Sequence, residues 1–251
     1  MYGATGDGVV DDSAAIKAML ESGKRNFLFK GIYLIDGIIG ESFYTFENID
    51  GISIMATSDS KVKYKTNLNY SEENINARDT IFLNFIECKN IDIKLNFEGD
   101  YAEYDKLGYY GVVAIRTSSC IRCFFDINAK YCRYVIFNYN QNSDFLSENM
   151  VAKGYCQVSG YFFAGTGSKN ALIDCETDDV HRSVYLAACE NIRVYNIYSN
   201  QHTADINVIL STGQLGTNYA GVRNAEIIVK DKTLDINELK IVPYSCGISL
   251  Q

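Results

Sequence analysis

The 251-residue sequence predicts an all-β protein that coils into a parallel solenoid behind a short N-terminal helix. Strand-like segments rich in isoleucine, valine, tyrosine and phenylalanine recur along the chain, and turn residues separate them. Three asparagines that precede such segments, Asn149, Asn170 and Asn191, lie 21 residues apart. A period in the low twenties with β-rich content is typical of a solenoid in which each coil stacks on the next.

The first segment combines a glycine-rich turn, acidic residues and a helical pattern. Residues 11–13 (Asp-Asp-Ser) can cap a helix, because their side-chain oxygens accept the free N–H groups of its first turn. Ile16, Met19 and Leu20 then share one apolar face, which must lie on another surface. A phosphate loop is the alternative for the glycines, but no strand precedes them and the neighbouring aspartates would repel a phosphate.

Two stretches carry a family resemblance: Tyr2–Ile16 (Tyr-Gly-Ala-Thr-Gly-Asp-Gly-Val-Val-Asp-Asp-Ser-Ala-Ala-Ile) and the strand-like Phe27–Ile35, which begins Phe-Leu-Phe-Lys-Gly-Ile-Tyr-Leu. They resemble the N-terminal segment of the pectate-lyase-like right-handed β-helix superfamily, which includes bacterial polysaccharide lyases and hydrolases and phage tailspike proteins. The family usually has a proline at the position of Lys30. The resemblance implies a right-handed, single-stranded parallel β-helix whose open N-terminal end is covered by the helix.

The resemblance also implies a function: cleavage or binding of a surface or extracellular polysaccharide by an extracellular or virion protein. The alternative is a non-catalytic structural or receptor-binding solenoid of a phage virion or a cell surface. We expect one domain, residues 1–251, with an N-terminal cap (1–24) and coils from about 25 onward. Lys240–Gln251 shows no helix signal, so we expect no C-terminal cap and a last coil covered by further sequence or by a partner chain, as in a homotrimer.

Composition excludes some partners. The net charge of −8 argues against nucleic acid, which needs clustered lysine and arginine, and it would repel an anionic polysaccharide unless local arginines or a divalent cation intervened. No apolar run is long enough to cross a membrane, and no secretory signal precedes the first motif. The cysteines lie mostly in apolar runs and form no zinc pattern, so we expect buried thiols and assembly in the cytosol, as for a virion component.

The candidate site follows from the same period. The two histidines, His181 and His202, are also 21 residues apart, which predicts neighbouring positions on adjacent coils. Acidic and basic residues surround both of them. A catalytic role is predicted for Asp178, Asp179, His181 and Arg182, and a substrate-binding role for Glu176, His202, Asp205 and Tyr185.

Two reactions suit this group. A glycoside hydrolase needs two carboxyl groups, which Asp178 and Asp179 could supply, although adjacent strand residues point to opposite faces. A polysaccharide lyase needs a base and a cation beside a uronate, roles that suit His181 and Arg182, with the acidic residues as ligands of a possible Ca²⁺. No other cofactor or metal is predicted, and an ordinary solvated turn is the structural alternative.

Two further features bear on sugar binding and on structure. The chain has nineteen tyrosines, whose rings can stack on sugars, and no tryptophan. The amide-rich run Asn138–Asp144 is a candidate binding groove, although an ordinary turn is the favoured interpretation. The repeated asparagines are interpreted as a ladder in which stacked side-chain amides satisfy one another.

Overall fold

The computed structural model describes residues 2–38, 40–66, 80–100, 111–140, 146–201, 208–215 and 218–232. Within these ranges the chain forms one helix, α1 (Ser13–Leu20), and twenty strands in three sheets. Sheet A contains β1 (Asp7–Asp11), β2 (Asn26–Phe29), β3 (Ile32–Gly37), β5 (Asp50–Ala56), β6 (Lys61–Thr66), β8 (Lys89–Glu98), β10 (Ile121–Lys130), β12 (Ser147–Ser159), β14 (Ser168–Val180), β16 (Glu190–Gln201) and β20 (Arg223–Asp231). Sheet B contains β4 (Ser42–Glu47), β7 (Thr80–Ile86), β9 (Val112–Ser118), β11 (Tyr134–Tyr139), β13 (Tyr161–Thr166), β15 (Val184–Ala187) and β17 (Val208–Ser211). The third sheet is the antiparallel pair β18 (Gly213–Leu215) and β19 (Asn218–Ala220).

The topology is that of a parallel β-helix. From β6 to β17 the chain alternates between sheets A and B, and every pair within these two sheets is parallel. Ala152, Ile173 and Val194 face one another on β12, β14 and β16, one coil of 21 residues apart. The predicted fold, a right-handed parallel β-helix with an N-terminal capping helix, is confirmed.

The asparagine ladder is also present. Asn170 donates its side-chain amide to Asn149 (3.2 Å), Asn191 donates to Asn170 (3.1 Å), and Asn224 donates to Asn191 (3.0 Å). All four have φ between 51° and 56°, in the left-handed region that asparagine tolerates better than most residues. The ladder therefore supports a repeated sharp turn at the start of sheet A.

Helix α1 covers the first coil, as predicted. Ile16 and Leu20 are each 2% exposed and join the same core as Phe27 and Ile35. The capping chemistry differs from the prediction at Asp12, which occupies the N-cap position but whose side chain makes no hydrogen bond to the helix. Its carboxylate instead accepts the N–H groups of Thr5 (2.6 Å) and Gly6 (3.1 Å), and so fixes the glycine-rich turn.

One strand prediction is wrong. The stretch Phe27–Ile35 forms two strands rather than one, because β2 pairs with β5 whereas β3 pairs with β6. The break falls at Gly31, where an added Cβ would lie 2.9 Å from the carbonyl oxygen of Gly6. The chain bends here as it passes close to the glycine-rich turn.

The interior is mostly apolar, and its composition changes along the axis. Near the N-terminal end aromatic rings fill it: Phe82 lies 5.7 Å from Tyr64 and 5.5 Å from Phe97 between ring centroids. The described cysteines are all buried and unpaired, as predicted. Burial raises the pKa of the Cys132 and Cys156 thiols, so these groups remain protonated and behave as small apolar side chains.

Candidate functional site

Strand β14 carries most of the predicted site residues, and its alternation decides which of them reach solvent. Cys175 and Thr177 are buried in the interior, whereas Glu176 and Asp178 point outward and are partly exposed. These two carboxylates therefore lie on the same face of one strand, two residues apart.

Asp178 is held from both neighbouring coils. Gln157 on β12 and Ser199 on β16 are its register partners. The Gln157 side-chain amide donates to the Asp178 carboxylate at 3.0 Å, and the Ser199 hydroxyl donates to it at 3.0 Å. These two hydrogen bonds fix the direction of the carboxylate.

Glu176 has a cationic partner from the last described coil. Lys232, just beyond β20, donates to its carboxylate, and this contact raises the pKa of Lys232. Tyr155 lies beside Glu176 in the sheet register. Burial, together with the charges of Asp178 and Glu176, raises the pKa of the Tyr155 phenol, which keeps it a neutral hydrogen-bond donor. We call this group the acidic patch: Tyr155, Gln157, Glu176, Asp178, Ser199 and Lys232.

Asp179 begins the corner that leads from sheet A to sheet B. Its φ is 51°, and the preceding coils have Val158 (φ 46°) and Tyr131 (φ 57°) in the same left-handed conformation. This turn interrupts the alternation of β14, so Asp178 and Asp179 are both partly exposed, although they are adjacent. Strict alternation would point the two carboxylates to opposite faces of the strand, with one of them facing the interior, and this does not occur.

His181 and Arg182 lie beyond the corner. Their backbone N–H groups bond to the carbonyl oxygens of Ser159 and Gly160 at 3.0 Å each. The Arg182 guanidinium donates to the Tyr161 hydroxyl (3.1 Å), and the His181 ring meets the Tyr161 ring edge-on at 6.0 Å between centroids. These two side chains therefore lie against sheet B, across the corner from the acidic patch.

The remaining predicted residues are distributed as follows. Tyr185, on β15, is partly exposed and is the register partner of Ala164. His202 and Asp205 lie outside the described residues, so the predicted neighbourhood of the two histidines stays a prediction.

Four patch residues were not predicted from the sequence: Tyr155, Gln157, Ser199 and Lys232. The 21-residue period was a sufficient signal for three of them, because Tyr155 and Gln157 precede Glu176 and Asp178 by one period and Ser199 follows Asp178 by one. Lys232 lies beyond an irregular coil, so the period does not reveal it.

The wall behind the patch is polar as well. Inside the solenoid the Thr177 and Ser183 hydroxyls lie 2.7 Å apart, and Asn196 donates its side-chain amide to Ser183 at 2.9 Å. All three residues are at most 1% exposed. This network ties β14 and β16 to the corner and holds the backbone beneath Asp178 in place.

The amide-rich run is not a groove where the structure describes it. Asn138 and Asn140 are fully buried. Asn138 donates to the Ser168 hydroxyl (2.8 Å), and Asn140 donates to the Gly167 carbonyl oxygen (2.8 Å). Both amides satisfy the backbone and side chains of a turn, so the binding interpretation is wrong for these two residues; 141–144 lie outside the described ranges.

Metal-ligating side chains do not cluster in the part of the chain that the structure describes: no group of three or more histidine, cysteine or carboxylate side chains is placed to hold an ion. The described ranges likewise contain no helix with the length and apolar character needed to span a membrane.

Known structures share this fold. A proposed glycosyl hydrolase from Parabacteroides merdae aligns with a TM-score of 0.52 at 12% identity, covering 93% of this chain and 94% of that one. PfbA, a surface adhesin of Streptococcus pneumoniae, aligns over 92% of this chain and 71% of its own, with 12% identity and a TM-score of 0.46. ORF18 of Geobacillus virus E2 aligns over 92% and 60%, with 12% identity and a TM-score of 0.30. No family model and no curated protein matches the sequence, so the likeness concerns the fold alone.

Proposed function

We propose that this protein binds a surface or extracellular polysaccharide on the outside of its β-helix and hydrolyses it at the acidic patch. The observation that carries the proposal is the placement of Glu176 and Asp178 on one face of β14, beside the phenol of Tyr155. The resemblance of the N-terminal segment supports carbohydrate as the substrate class, and the patch supplies the chemistry.

The spacing of the two carboxylates suits hydrolysis with inversion. The Cα atoms of residues i and i+2 of a strand lie about 6.6 Å apart, so two carboxyl groups that project side by side from them start from that spacing. Inverting glycosidases hold their two carboxyl groups about 6.5–9.5 Å apart, which leaves room for a water molecule, whereas retaining enzymes hold them about 5 Å apart. The pair Glu176 and Asp178 replaces the adjacent pair Asp178 and Asp179, since Asp179 belongs to the corner.

The partners of the two carboxylates distinguish their roles. Asp178, held by Gln157 and Ser199, has a fixed direction and serves as the base that activates water. Glu176 serves as the acid once a bound sugar displaces its partner Lys232, which is 59% exposed, because a carboxylate paired with a lysine has no proton to donate. Tyr155 contributes an apolar ring face and a hydroxyl donor to the sugar.

Single substitutions test the pair. We expect Glu176→Gln and Asp178→Asn each to lower the release of reducing ends by roughly 100-fold or more, because loss of an acid or a base removes about that factor. Binding, measured by affinity electrophoresis, should persist. The matched control is Asp174→Asn, on the same face of the same strand, where Asp174 pairs with Lys153 at 3.8 Å; its activity should stay within about two-fold of wild type.

The outcomes separate the alternatives. Unchanged cleavage in both variants rejects the site. An unsaturated, ultraviolet-absorbing product that persists in both variants and is lost in His181→Ala shows a lyase acting across the corner. Binding without cleavage by the wild type identifies a non-catalytic receptor-binding solenoid, and failure to bind or cleave any glycan of a broad panel rejects carbohydrate as the ligand.

A further inference from the structure

Aromatic rings and guanidinium groups form a continuous group on the outer face of sheet B. The Arg133 guanidinium lies 4.7 Å from the Tyr134 ring centroid, and the Tyr134 ring lies 4.6 Å from Phe137 and 5.2 Å from Tyr161. Tyr161 in turn contacts Arg182 through its hydroxyl. We call this group the arginine–aromatic surface: Arg133, Tyr134, Phe137, Tyr161, His181 and Arg182.

Strand β11 departs from strict alternation at this surface. Val135 and Ile136 are adjacent, yet both are fully buried in the core. Tyr134 and Phe137 consequently both face outward, and their rings stack with an interplanar angle of 14°. All six side chains of the surface are partly exposed, so the rings and cations reach solvent.

The charge of this surface is opposite to that of the protein. Strands β7, β9, β11, β13, β15 and β17 contain no aspartate or glutamate, whereas the whole chain has a net charge of −8. Arg133 and Arg182 lie two coils apart, on either side of the turn at Gly160, and each contacts a tyrosine. Two cations are thus placed beside strands that contain no carboxylate.

This combination matches one ligand chemistry. A flat ring packs against the C–H face of a sugar, and a guanidinium binds a carboxylate or sulfate through paired N–H donors. A neutral sugar would use the rings but not the arginines. We infer that the arginine–aromatic surface binds the acidic sugar units of an anionic glycan; the inference rests on the proposed function and names its substrate class.

The surface resolves an electrostatic difficulty. A protein of this net charge repels a polyanion at long range, but at physiological salt the repulsion is screened beyond about 8 Å. Local arginines then determine whether the polymer binds. The surface holds the acidic units across the corner from Glu176 and Asp178, so one chain can contact both regions.

Matched pairs of polymers test the inference. We expect the full chain to bind polygalacturonate at least ten-fold more tightly than its methyl ester, or dextran sulfate at least ten-fold more tightly than dextran, measured by isothermal titration calorimetry. The first pair tests recognition of a carboxylate, and the second pair tests recognition of a sulfate. Arg182→Gln and Arg133→Gln should each remove most of that preference and leave binding of the uncharged polymer within about two-fold.

The control is Arg193→Gln, which removes the same charge from the outer face of sheet A. Arg193 is 69% exposed and pairs with Glu226 at 3.4 Å. An equal loss in Arg193→Gln, or equal binding of charged and uncharged polymers by the wild type, would overturn the inference. So would equally tight binding of a DNA duplex that is lost in Arg182→Gln, because the surface would then recognise any polyanion.

Failure here can be distinguished from failure of the proposed function. If the protein cleaves a neutral glycan and Glu176→Gln abolishes that cleavage, the acidic patch stands and the anionic substrate is rejected. If no polymer is bound or cleaved, both are rejected. A thermal unfolding curve for each arginine variant, matching the wild type, excludes loss of fold as the cause.

Discussion

The two outer faces of the β-helix are built on one core but carry different chemistry. Sheet A presents charges that are paired from coil to coil: Lys94 bonds to Asp126 at 3.0 Å, and Lys153 lies 3.8 Å from Asp174 on the next pair of strands. Sheet B presents rings and arginines, and its strands from β7 onward contain no carboxylate. Opposite charges on sheet A satisfy each other, whereas the cations of sheet B lie against tyrosines.

The difference shows how a solenoid separates structure from function. Side chains at equivalent positions of successive coils lie next to one another. Identical side chains must therefore interact favourably, as in the asparagine ladder, or the charges must alternate in sign, as in the sheet A ion pairs. A face without such a pattern is not stabilised by contacts between equivalent side chains, and that face is available for a ligand. On β14 three carboxylates, Asp174, Glu176 and Asp178, face outward, and the charges of Glu176 and Asp178 act on the phenol of Tyr155.

The largest expected effect comes from a close backbone contact between two coils in sheet A. Gly154 lies in β12 with φ 137°, and an added Cβ would lie 2.0 Å from the backbone oxygen of Ile127. We expect Gly154→Ala to lower the free energy of unfolding by about 3 kcal/mol or more, measured by chemical denaturation, because backbone atoms cannot yield as a flexible side chain can. Binding at both faces should be lost together.

Gly221→Ala is the control for that substitution. Nothing lies within 4 Å of the position of an added Cβ at Gly221, so its effect should stay within about 0.5 kcal/mol. If Gly154→Ala were as stable as the wild type, the coils would yield at this contact without cost, and neither face would depend on it.

An intermediate effect is expected at the ladder that begins sheet A. Asn191 accepts from Asn224 and donates to Asn170, with φ 56°. Asn191→Ala should cost about 1.5–2 kcal/mol, because it loses two amide hydrogen bonds and places a Cβ that prefers negative φ in the left-handed region.

Asn191→Gly separates the two causes. Glycine adopts positive φ freely but cannot form the ladder, so we expect it to cost roughly half as much as alanine. Equal unfolding free energies for the two variants would show that backbone conformation contributes nothing at this turn.

The sequence alone predicted those features that repeat with the 21-residue period. The spacing of Asn149, Asn170 and Asn191 predicted the solenoid and its ladder, since stacked coils bring equivalent positions together. The same period relates Arg182 to Tyr161, which it follows by 21 residues. The buried cysteines followed from their apolar neighbours.

Features that depend on coil length or on a local bend were not predictable in this way. Tyr134 meets Tyr161 across a coil of 27 residues, and Phe137 stacks on Tyr134 although strict alternation would place these two residues on opposite faces of β11. The candidate site was predicted as a single group near one turn, but the corner at Asp179 places its acidic and basic members on different sides.

The smallest expected effect concerns the charges of sheet A. Lys94 is 56% exposed and pairs with Asp126 on the next coil. An exposed ion pair contributes about 0–1 kcal/mol, because solvent screens it and two flexible side chains must be ordered. We therefore expect Lys94→Met to change the free energy of unfolding by less than about 0.5 kcal/mol, and the change should vanish in high salt. A loss well above 1 kcal/mol that persists in salt would mean that the paired charges of sheet A hold the coils together, and the contrast between a self-satisfied face and a ligand-binding face would need a different physical basis.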